Sequence, residues 1–221
     1  DIDRDQLLDN VRPHDRILWI CSPNNPTGNL QDQQIIIDLL RNFPGIVVVD
    51  EAYIDFSNEP SMVNIIPDFP NLVVLQTFSK AWGMAGLRCG MAFASPWIIR
   101  LMNAVKPPYN VNEYTQRYIT GLLDDTVSMR KEVSRILQER DRVIQFLESL
   151  EAVTDVFPTD ANFVLFRIQN SQEIFAGLKA AGIVVRNRHT TPLCQDCLRV
   201  TIGTESENTL FMKQLKILTK K

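Results

Sequence analysis

The chain has 221 residues, 45% hydrophobic and 22% charged, and its 23 Lys+Arg against 26 Asp+Glu leave a net charge of −3. That is the balance of a soluble globular protein with one large domain or two small ones. With no basic run it is a poor electrostatic match for nucleic acid or an anionic membrane, and no apolar stretch reaches the roughly 18 residues of a membrane helix.

The first residues, DIDRDQLLDN, have neither an apolar core nor an initiator Met, so they predict no signal peptide and point to a processed or truncated chain. Residues 16–22, RILWICS, read as a strand closed by the turn-forming cluster PNNPTG. LQDQQIIIDLLRNF follows with helical spacing, its Ile35, Ile36, Leu39, Leu40 and Phe43 on one side. IVVVDEAYIDF is a second β-branched strand that breaks into acid at Asp50. A short helical segment, SMVNIIPDFP, leads to a third strand, NLVVLQTF, and then Lys80. Continuous apolar strands separated by helices predict a parallel sheet covered on both faces. The fourth apolar run, CGMAFAS, comes too soon for a helical crossover, which points to an antiparallel strand.

Beyond PWIIRLMNAV the pattern changes. NEYTQRYITGLLDD and the long amphipathic stretch 126–149 read as helices, the latter carrying Val133, Ile136, Leu137, Val143, Ile144 and Leu147. Strands are expected at NFVLFRI, GIVVRN and CLRVTI, with helices at 171–181 and about 205–219. The expected organisation is therefore an α/β protein: a mostly parallel sheet in residues 1–125, then a smaller α+β unit in 126–221 with 126–149 as the connecting helix.

Four cysteines are present. Cys21 and Cys89 sit in apolar strand-like runs and are expected to be small core residues. Cys194 and Cys197 form a lone CxxC; with His189 they give three candidate metal ligands and no fourth. A thioredoxin-type CxxC opens a helix, whereas this one enters the strand CLRVTI. Metal and redox chemistry are set aside, and the cysteine usage points to the reducing cytoplasm.

Ligands of open parallel α/β sheets bind beyond the carboxyl ends of the strands. Each of the first three strands ends in polar groups: Asn24 and Asn25, then Asp50 with Tyr53, then Thr77, Ser79 and Lys80. Singly they have ordinary readings: Asn25 as a turn residue before Pro, Asp50 as a helix cap, Lys80 as a solvated lysine. Three such residues at three matching strand ends suggest one site. The nicotinamide fingerprint GxGxxG and the nucleotide-binding GxxxxGK[ST] are both missing from the sequence. Pyridoxal phosphate suits the set: a lysine for its aldehyde, a carboxylate for its pyridine nitrogen, hydroxyls and an arginine fork for its phosphate, and Asn or Tyr for its phenolic oxygen.

SPNNPTG, VVVDEAYIDF, TFSKAWGMAGLRCG and CLRVTIGT together resemble the fold-type I aminotransferases, which depend on pyridoxal phosphate. PPYNVN at 107–112, DANFVLF at 160–166 and GIVVRNR at 182–188 are similar to the histidinol-phosphate aminotransferases within them. The resemblance implies Lys80 as the Schiff-base lysine and catalytic base, Asp50 on the pyridinium nitrogen, and Asn25 and Tyr53 on the phenolic oxygen. It implies Thr77, Ser79 and Arg88 as phosphate ligands, with Arg88 at the family's spacing of eight from the lysine. Arg199 corresponds to the arginine that grips a substrate carboxylate, although alone it reads as a strand-edge ion pair. Arg186 corresponds to a second arginine that helps bind the phosphate of L-histidinol phosphate; Arg188 and His189 read as surface residues.

The implied reaction moves an amino group from L-glutamate to imidazole-acetol phosphate, giving 2-oxoglutarate and L-histidinol phosphate in histidine biosynthesis. The implied enzyme is a cytoplasmic homodimer without metal, nucleic acid or membrane partners. Aromatic aminotransferases and threonine-phosphate decarboxylases would share the cofactor residues, and a non-catalytic fragment would keep the fold alone. Members of the family carry an N-terminal third ahead of RILWI that supplies a phosphate-binding turn and a ring-stacking aromatic; a sheet without its strands is expected to expose an edge.

Overall fold

The computed structural model describes residues 2–220. It separates into two compact units. One runs up to Asn24 and then comprises Asn29–Arg130; the other comprises Asn25–Gly28 and the chain from Lys131 onward. The division at Arg130 falls within the long helix, a few residues past the expected position near 125, and the Asn25–Gly28 segment packs with the second unit.

The first unit begins with α1 (Arg4–Asp9), a helix the sequence reading missed, capped by the Asp3 carboxylate accepting from Gln6 N–H at 3.0 Å. Its sheet holds β1 (Ile17–Cys21), β2 (Ile46–Asp50), β3 (Leu72–Thr77) and β4 (Gly90–Ala94) in that spatial order. The first three are parallel and β4 returns antiparallel to β3, both as expected.

The apolar runs follow from burial on both faces. Val47 and Val49 of β2 pack with Ile36, Leu39 and Leu40 of α2 (Gln33–Asn42), while Val48 turns the other way against Val73 and Ile98 of α3 (Pro96–Val105). Each fully buried aliphatic side chain there contributes roughly 1.5–3 kcal/mol. At the edge strand β1 only one face is covered: Ile20 is buried, while Ile17 and Trp19 are 51% and 62% exposed. Cys21 shares that alternation and is exposed, and Cys89 is half-buried, so neither is the core residue expected. The cysteines that are buried are Cys194 and Cys197, both as free thiols.

Between β2 and β3 the chain forms 3₁₀ turns, Ile54–Phe56 and Met62–Ile65, where the sequence suggested a short helix. Glu51 anchors this connection. Its carboxylate is 2% exposed and accepts from Ser61 Oγ (2.5 Å), Met62 N–H (2.7 Å) and Gln76 Nε2 (2.9 Å). Three donors suit an ionised, acceptor-only group and offset its desolvation. After β4 come α3 and α4 (Glu113–Leu122), whose cap Asn112 accepts from Thr115 N–H at 2.8 Å.

The second unit takes up α5 (Thr126–Glu148) from Lys131 on. It adds β5 (Val153–Val156), β6 (Phe163–Ile168), α6 (Ser171–Ala180), β7 (Arg186–Asn187), β8 (Cys197–Thr201) and α7 (Glu205–Leu218). The sheet is antiparallel in the order β5-β6-β8-β7. One face buries Val164, Phe166, Ile168, Leu198 and Val200 beneath Val143 and Leu147 of α5, Leu178 of α6 and Phe211 and Leu215 of α7. Gly177 lets α6 and α7 approach: a Cβ there would lie 2.6 Å from Leu218 Cδ2. β5 was not foreseen, and GIVVRN contributes strand only at Arg186–Asn187.

Glu51→Ala leaves three donors without their acceptor and is expected to cost about 2–4 kcal/mol, read as a lowered urea midpoint. An unchanged midpoint would remove Glu51 from its anchoring role. In the second unit, hydrogen bonds from Arg142 and, to a lesser extent, Asn208 hold the Glu139 carboxyl below the ordinary glutamate value. A depressed folded-state pKa stabilises above the unfolded value of about 4.3, and that contribution is lost as pH falls further. Glu139→Gln is therefore expected to flatten the acid limb of the stability profile below about pH 4.3 while leaving its slope at neutral pH unchanged.

Candidate active site

Parallel pairing sets the ends of β1, β2 and β3 level. Asp50 lies opposite Cys21 on one side and Leu75 on the other. The ladder closes just past it, with Ser22 N–H donating to Asp50 O (3.0 Å) and Glu51 N–H to Leu75 O (2.8 Å). The Asp50 carboxylate, half-buried, accepts from Ala52 N–H at 2.9 Å, which turns the chain and fixes the side chain at the strand tip. Burial, and to a lesser extent this carboxylate, pushes the Cys21 thiol up.

The turn after β2 brings Tyr53, 7% exposed, to the Lys80 side chain: Lys80 Nζ stands 4.9 Å from the Tyr53 ring centroid. A cation so placed over a π face gains about 0.5–2 kcal/mol. The sequence reading gave Tyr53 a role through its hydroxyl; the contact with Lys80 is made by the face of its ring. Lys80 is half-buried in the loop between β3 and β4. There Gly83, at φ +67°, donates its N–H to Lys80 O at 3.0 Å, a left-handed conformation that favours glycine. At the start of that loop Thr77 Oγ1 accepts from Ser79 N–H (3.1 Å) and donates to Cys89 O (3.4 Å). Arg88, adjacent to Cys89, adopts the left-handed conformation with φ 51° and ψ 46°. Its exposed guanidinium donates to Ala85 O at 3.1 Å. Asp50, Tyr53, Thr77, Ser79, Lys80 and Arg88 thus belong to the strand tips and the loop of a single unit.

Asn25, Arg186 and Arg199 belong to the second unit. Arg199, on β8, donates from Nη1 to Asn25 Oδ1 at 2.5 Å, and its guanidinium lies 4.6 Å over the Phe163 ring. Because arginine only donates, the Asn25 amide must present its oxygen here, leaving its NH₂ as the donor for another group. The segment carrying Asn25 is held by the loop before β6. Asp160 N–H donates to Gly28 O at 2.8 Å, and Arg140 Nη1 to Ala161 O at 3.0 Å. Gly28, at φ +87°, sits so close that a Cβ would lie 2.3 Å from Thr159 Oγ1. Arg186 is exposed and directly opposite Arg199 in the β7–β8 register.

No group of three or more potential metal ligands occurs among the described residues, and no helix among them is long and apolar enough to cross a membrane. The sequence reading missed Glu51, although its place beside Asp50 within the strand-end DEAY was a signal: a second acid behind a buried strand needs donors.

Comparison with known proteins gives a consistent result. The family model "Aminotransferase class I and II" matches residues 1–215. A histidinol-phosphate aminotransferase of Flavobacterium johnsoniae is 44% identical over 97% of this chain, and one of Parabacteroides distasonis is 47% identical over 98%. The chain spans 61% and 63% of the length of these two relatives. The crystal structure of the histidinol-phosphate aminotransferase from Clostridium acetobutylicum superposes with a TM-score of 0.91 at 27% identity, over 99% of this chain and 68% of that one. The fold is that of the fold-type I aminotransferases, and the chain belongs to the aminotransferase class I and II family.

Proposed function

We propose that the protein acts in a pyridoxal-phosphate-dependent aminotransferase exchanging an amino group between L-glutamate and imidazole-acetol phosphate, with L-histidinol phosphate and 2-oxoglutarate as products. The observation that carries this reading is the Lys80 amine poised 4.9 Å over the Tyr53 ring, on a loop next to the strand that ends in Asp50. The shared description of the relatives supports the choice of substrate.

The residues present suit the cofactor. Lys80 offers the amine for covalent attachment, Asp50 a carboxylate for a protonated ring nitrogen, and Thr77, Ser79 and Arg88 the hydroxyls and fork for a phosphate. The Asn25 NH₂, left free to donate by the bond to Arg199, suits a phenolic oxygen. When bound, the cofactor supplies an electron-accepting ring that stabilises negative charge at the substrate α-carbon.

The remaining work belongs to the protein's own groups. Lys80 is the amine that would take the proton from the substrate α-carbon and give it up again within the same site. Arg199 grips the α-carboxylate or its equivalent, and its bond to Asn25 couples that grip to the group on the phenolic oxygen. Arg186 brings a second positive charge to the face that Arg199 occupies, suited to an anion with more charge than a carboxylate. A cytoplasmic homodimer is the assembly this reading expects.

Two measurements test it. Incubation with pyridoxal phosphate, borohydride reduction and peptide mass spectrometry are expected to place the cofactor mass on Lys80 and to lose it in Lys80→Ala; label elsewhere, or label surviving the substitution, defeats the assignment. Asp50→Asn is expected to retain the label while slowing the glutamate half-reaction by about a hundredfold or more. Near wild-type rates would free Asp50 of its role. Comparing turnover of L-histidinol phosphate with phenylalanine and threonine phosphate separates this reading from an aromatic aminotransferase or a decarboxylase.

A further inference from the structure

The hydrogen bond from Arg199 to Asn25 joins β8 to a segment 174 residues away in the chain. Each end has its own support. Arg199 rests on the Phe163 ring, 4.6 Å beneath its guanidinium. Asn25 belongs to the segment that ends at Gly28, whose carbonyl accepts from Asp160 N–H at 2.8 Å. One side chain, that of Thr159, touches both supports.

Strand β5 ends at Val156, and Phe157 N–H makes the next bond, to Leu165 O at 3.0 Å. Beyond that point a side chain takes the place of the strand: Thr159 Oγ1 donates to Phe163 O at 2.8 Å. The ladder explains the direction. Asn162 O accepts from Ile202 N–H at 2.9 Å on the β8 side, and successive carbonyls alternate, so the Phe163 carbonyl faces the Thr159 side. Thr159 Oγ1 also accepts from Ala161 N–H at 3.2 Å. Its one proton and one of its lone pairs are thus both engaged. The same side chain meets Gly28, where a Cβ would lie 2.3 Å from Thr159 Oγ1 and 2.7 Å from Thr159 Cβ. The contacts close a circuit: Thr159 to the Phe163 backbone, the Phe163 ring to Arg199, Arg199 to Asn25, along the chain to Gly28, and back to Thr159.

A threonine in a local turn accounts for the bond from Ala161 alone. It does not account for the donation to Phe163 or for the contact with Gly28. Valine has the same shape and would fill the same half-buried place, but it has no proton for the carbonyl.

We propose that Thr159 is a positioning residue for the Arg199–Asn25 pair, its hydroxyl holding the platform under the arginine in register with the segment that carries the asparagine. The purpose of that pair, gripping a carboxylate, rests on the aminotransferase reading; the circuit itself lies within the second unit. Loss of the hydroxyl shifts Arg199 relative to Asn25 although it touches neither, and small misplacements of binding groups are costly. The effect falls on carboxylate binding and leaves cofactor attachment at Lys80 unchanged.

The test uses the whole 221-residue protein. The side-chain N–H resonances of Asn25 and Arg199 are followed by NMR in Thr159→Val, which keeps the shape without the hydroxyl, and in Thr159→Ser, which keeps the hydroxyl. Both resonances are expected to move in the valine variant and to stay near their wild-type positions in the serine variant. Ile174→Val, in the core face of α6, loosens packing away from the circuit and is expected to lower the urea midpoint with both resonances unmoved. Titration with 2-oxoglutarate is expected to show affinity about five- to fiftyfold weaker in Thr159→Val and within about twofold of wild type in Thr159→Ser. Borohydride-trapped label on Lys80 is expected to match wild type in both. Unmoved resonances or unchanged 2-oxoglutarate affinity in Thr159→Val, equal displacement in Ile174→Val, or a serine variant as impaired as the valine one would each overturn the proposal. Should Thr159→Val fail to fold, Gly28→Ala probes the same contact from its other side: its Cβ presses on Thr159 and is expected to move both resonances, and their staying in place overturns the proposal. Failure of the aminotransferase reading is distinguishable. A wild-type protein that takes neither 2-oxoglutarate nor cofactor on Lys80 loses that reading, while the two resonances still decide the role of Thr159.

Discussion

The first unit depends on one buried carboxylate. Glu51 follows Asp50 directly and binds Ser61, Met62 and Gln76, so it joins the tip of β2, the tip of β3 and the connection between them. A further bond from Gln76 Nε2 to Ser61 Oγ, at 3.1 Å, closes the network. Without it, a connection made of 3₁₀ turns would have little to fix it, since such turns are short and poorly hydrogen-bonded. Two of the proposed cofactor residues stand one position away: Asp50 before Glu51, Thr77 after Gln76. The network sets the backbone from which both project, so the spacing of an acid and a hydroxyl at two strand tips rests on a carboxylate spent on Ser61, Met62 and Gln76. A hydrophobic residue in place of Glu51 would pack well enough but would leave the connection without its acceptor.

In the second unit the ordering element is a difference between two faces of one sheet. Phe166, Leu198 and Val200 bury one face under three helices, which makes the register strict: a one-residue slip would put arginines into the core. The same strictness aligns Arg186 with Arg199 and Arg188 with Cys197. Packing on the apolar side thus positions charge on the other. Phe163 belongs to that second face: it is 1% exposed and its ring lies beneath the Arg199 guanidinium.

Strong local signals made much of this legible in the sequence. The strands IVVVD and NLVVL, buried on both faces, left continuous apolar runs; the short interval before CGMAFAS pointed to an antiparallel return; and the period of IIIDLL marked α2. Where tertiary contacts decide, the sequence was less informative. VTDV alternates too weakly to read as a strand without its partner β6. GIVV is β-branched, yet only Arg186 and Asn187 find a ladder, because pairing with β8 begins there. Cys21 sits in an apolar run, but an edge strand covers one face only. Among the site residues, those tied to strand ends could be read from pattern, whereas the pairing of Asn25 with Arg199 joins positions 174 residues apart and could come only from the fold.

That long-range pair has a consequence for how a site can respond to its ligand. Asn25 spends its amide oxygen on Arg199, so the direction of its NH₂ is fixed by the position of a guanidinium that is itself a candidate substrate ligand. Were Arg199 to turn toward a carboxylate, its strongest hydrogen bond would shift from a neutral amide to a charged acceptor. The Asn25 amide would then have to weaken its bond or move with the arginine. The segment it belongs to resists free movement, because Gly28 is pressed against Thr159 and bonded to Asp160. A ligand on the arginine would therefore act on the asparagine through one hydrogen bond, against a backbone that is held. Lysine at position 199 could not do this: a point charge has no planar fork with which to hold the amide on one edge and a carboxylate on another.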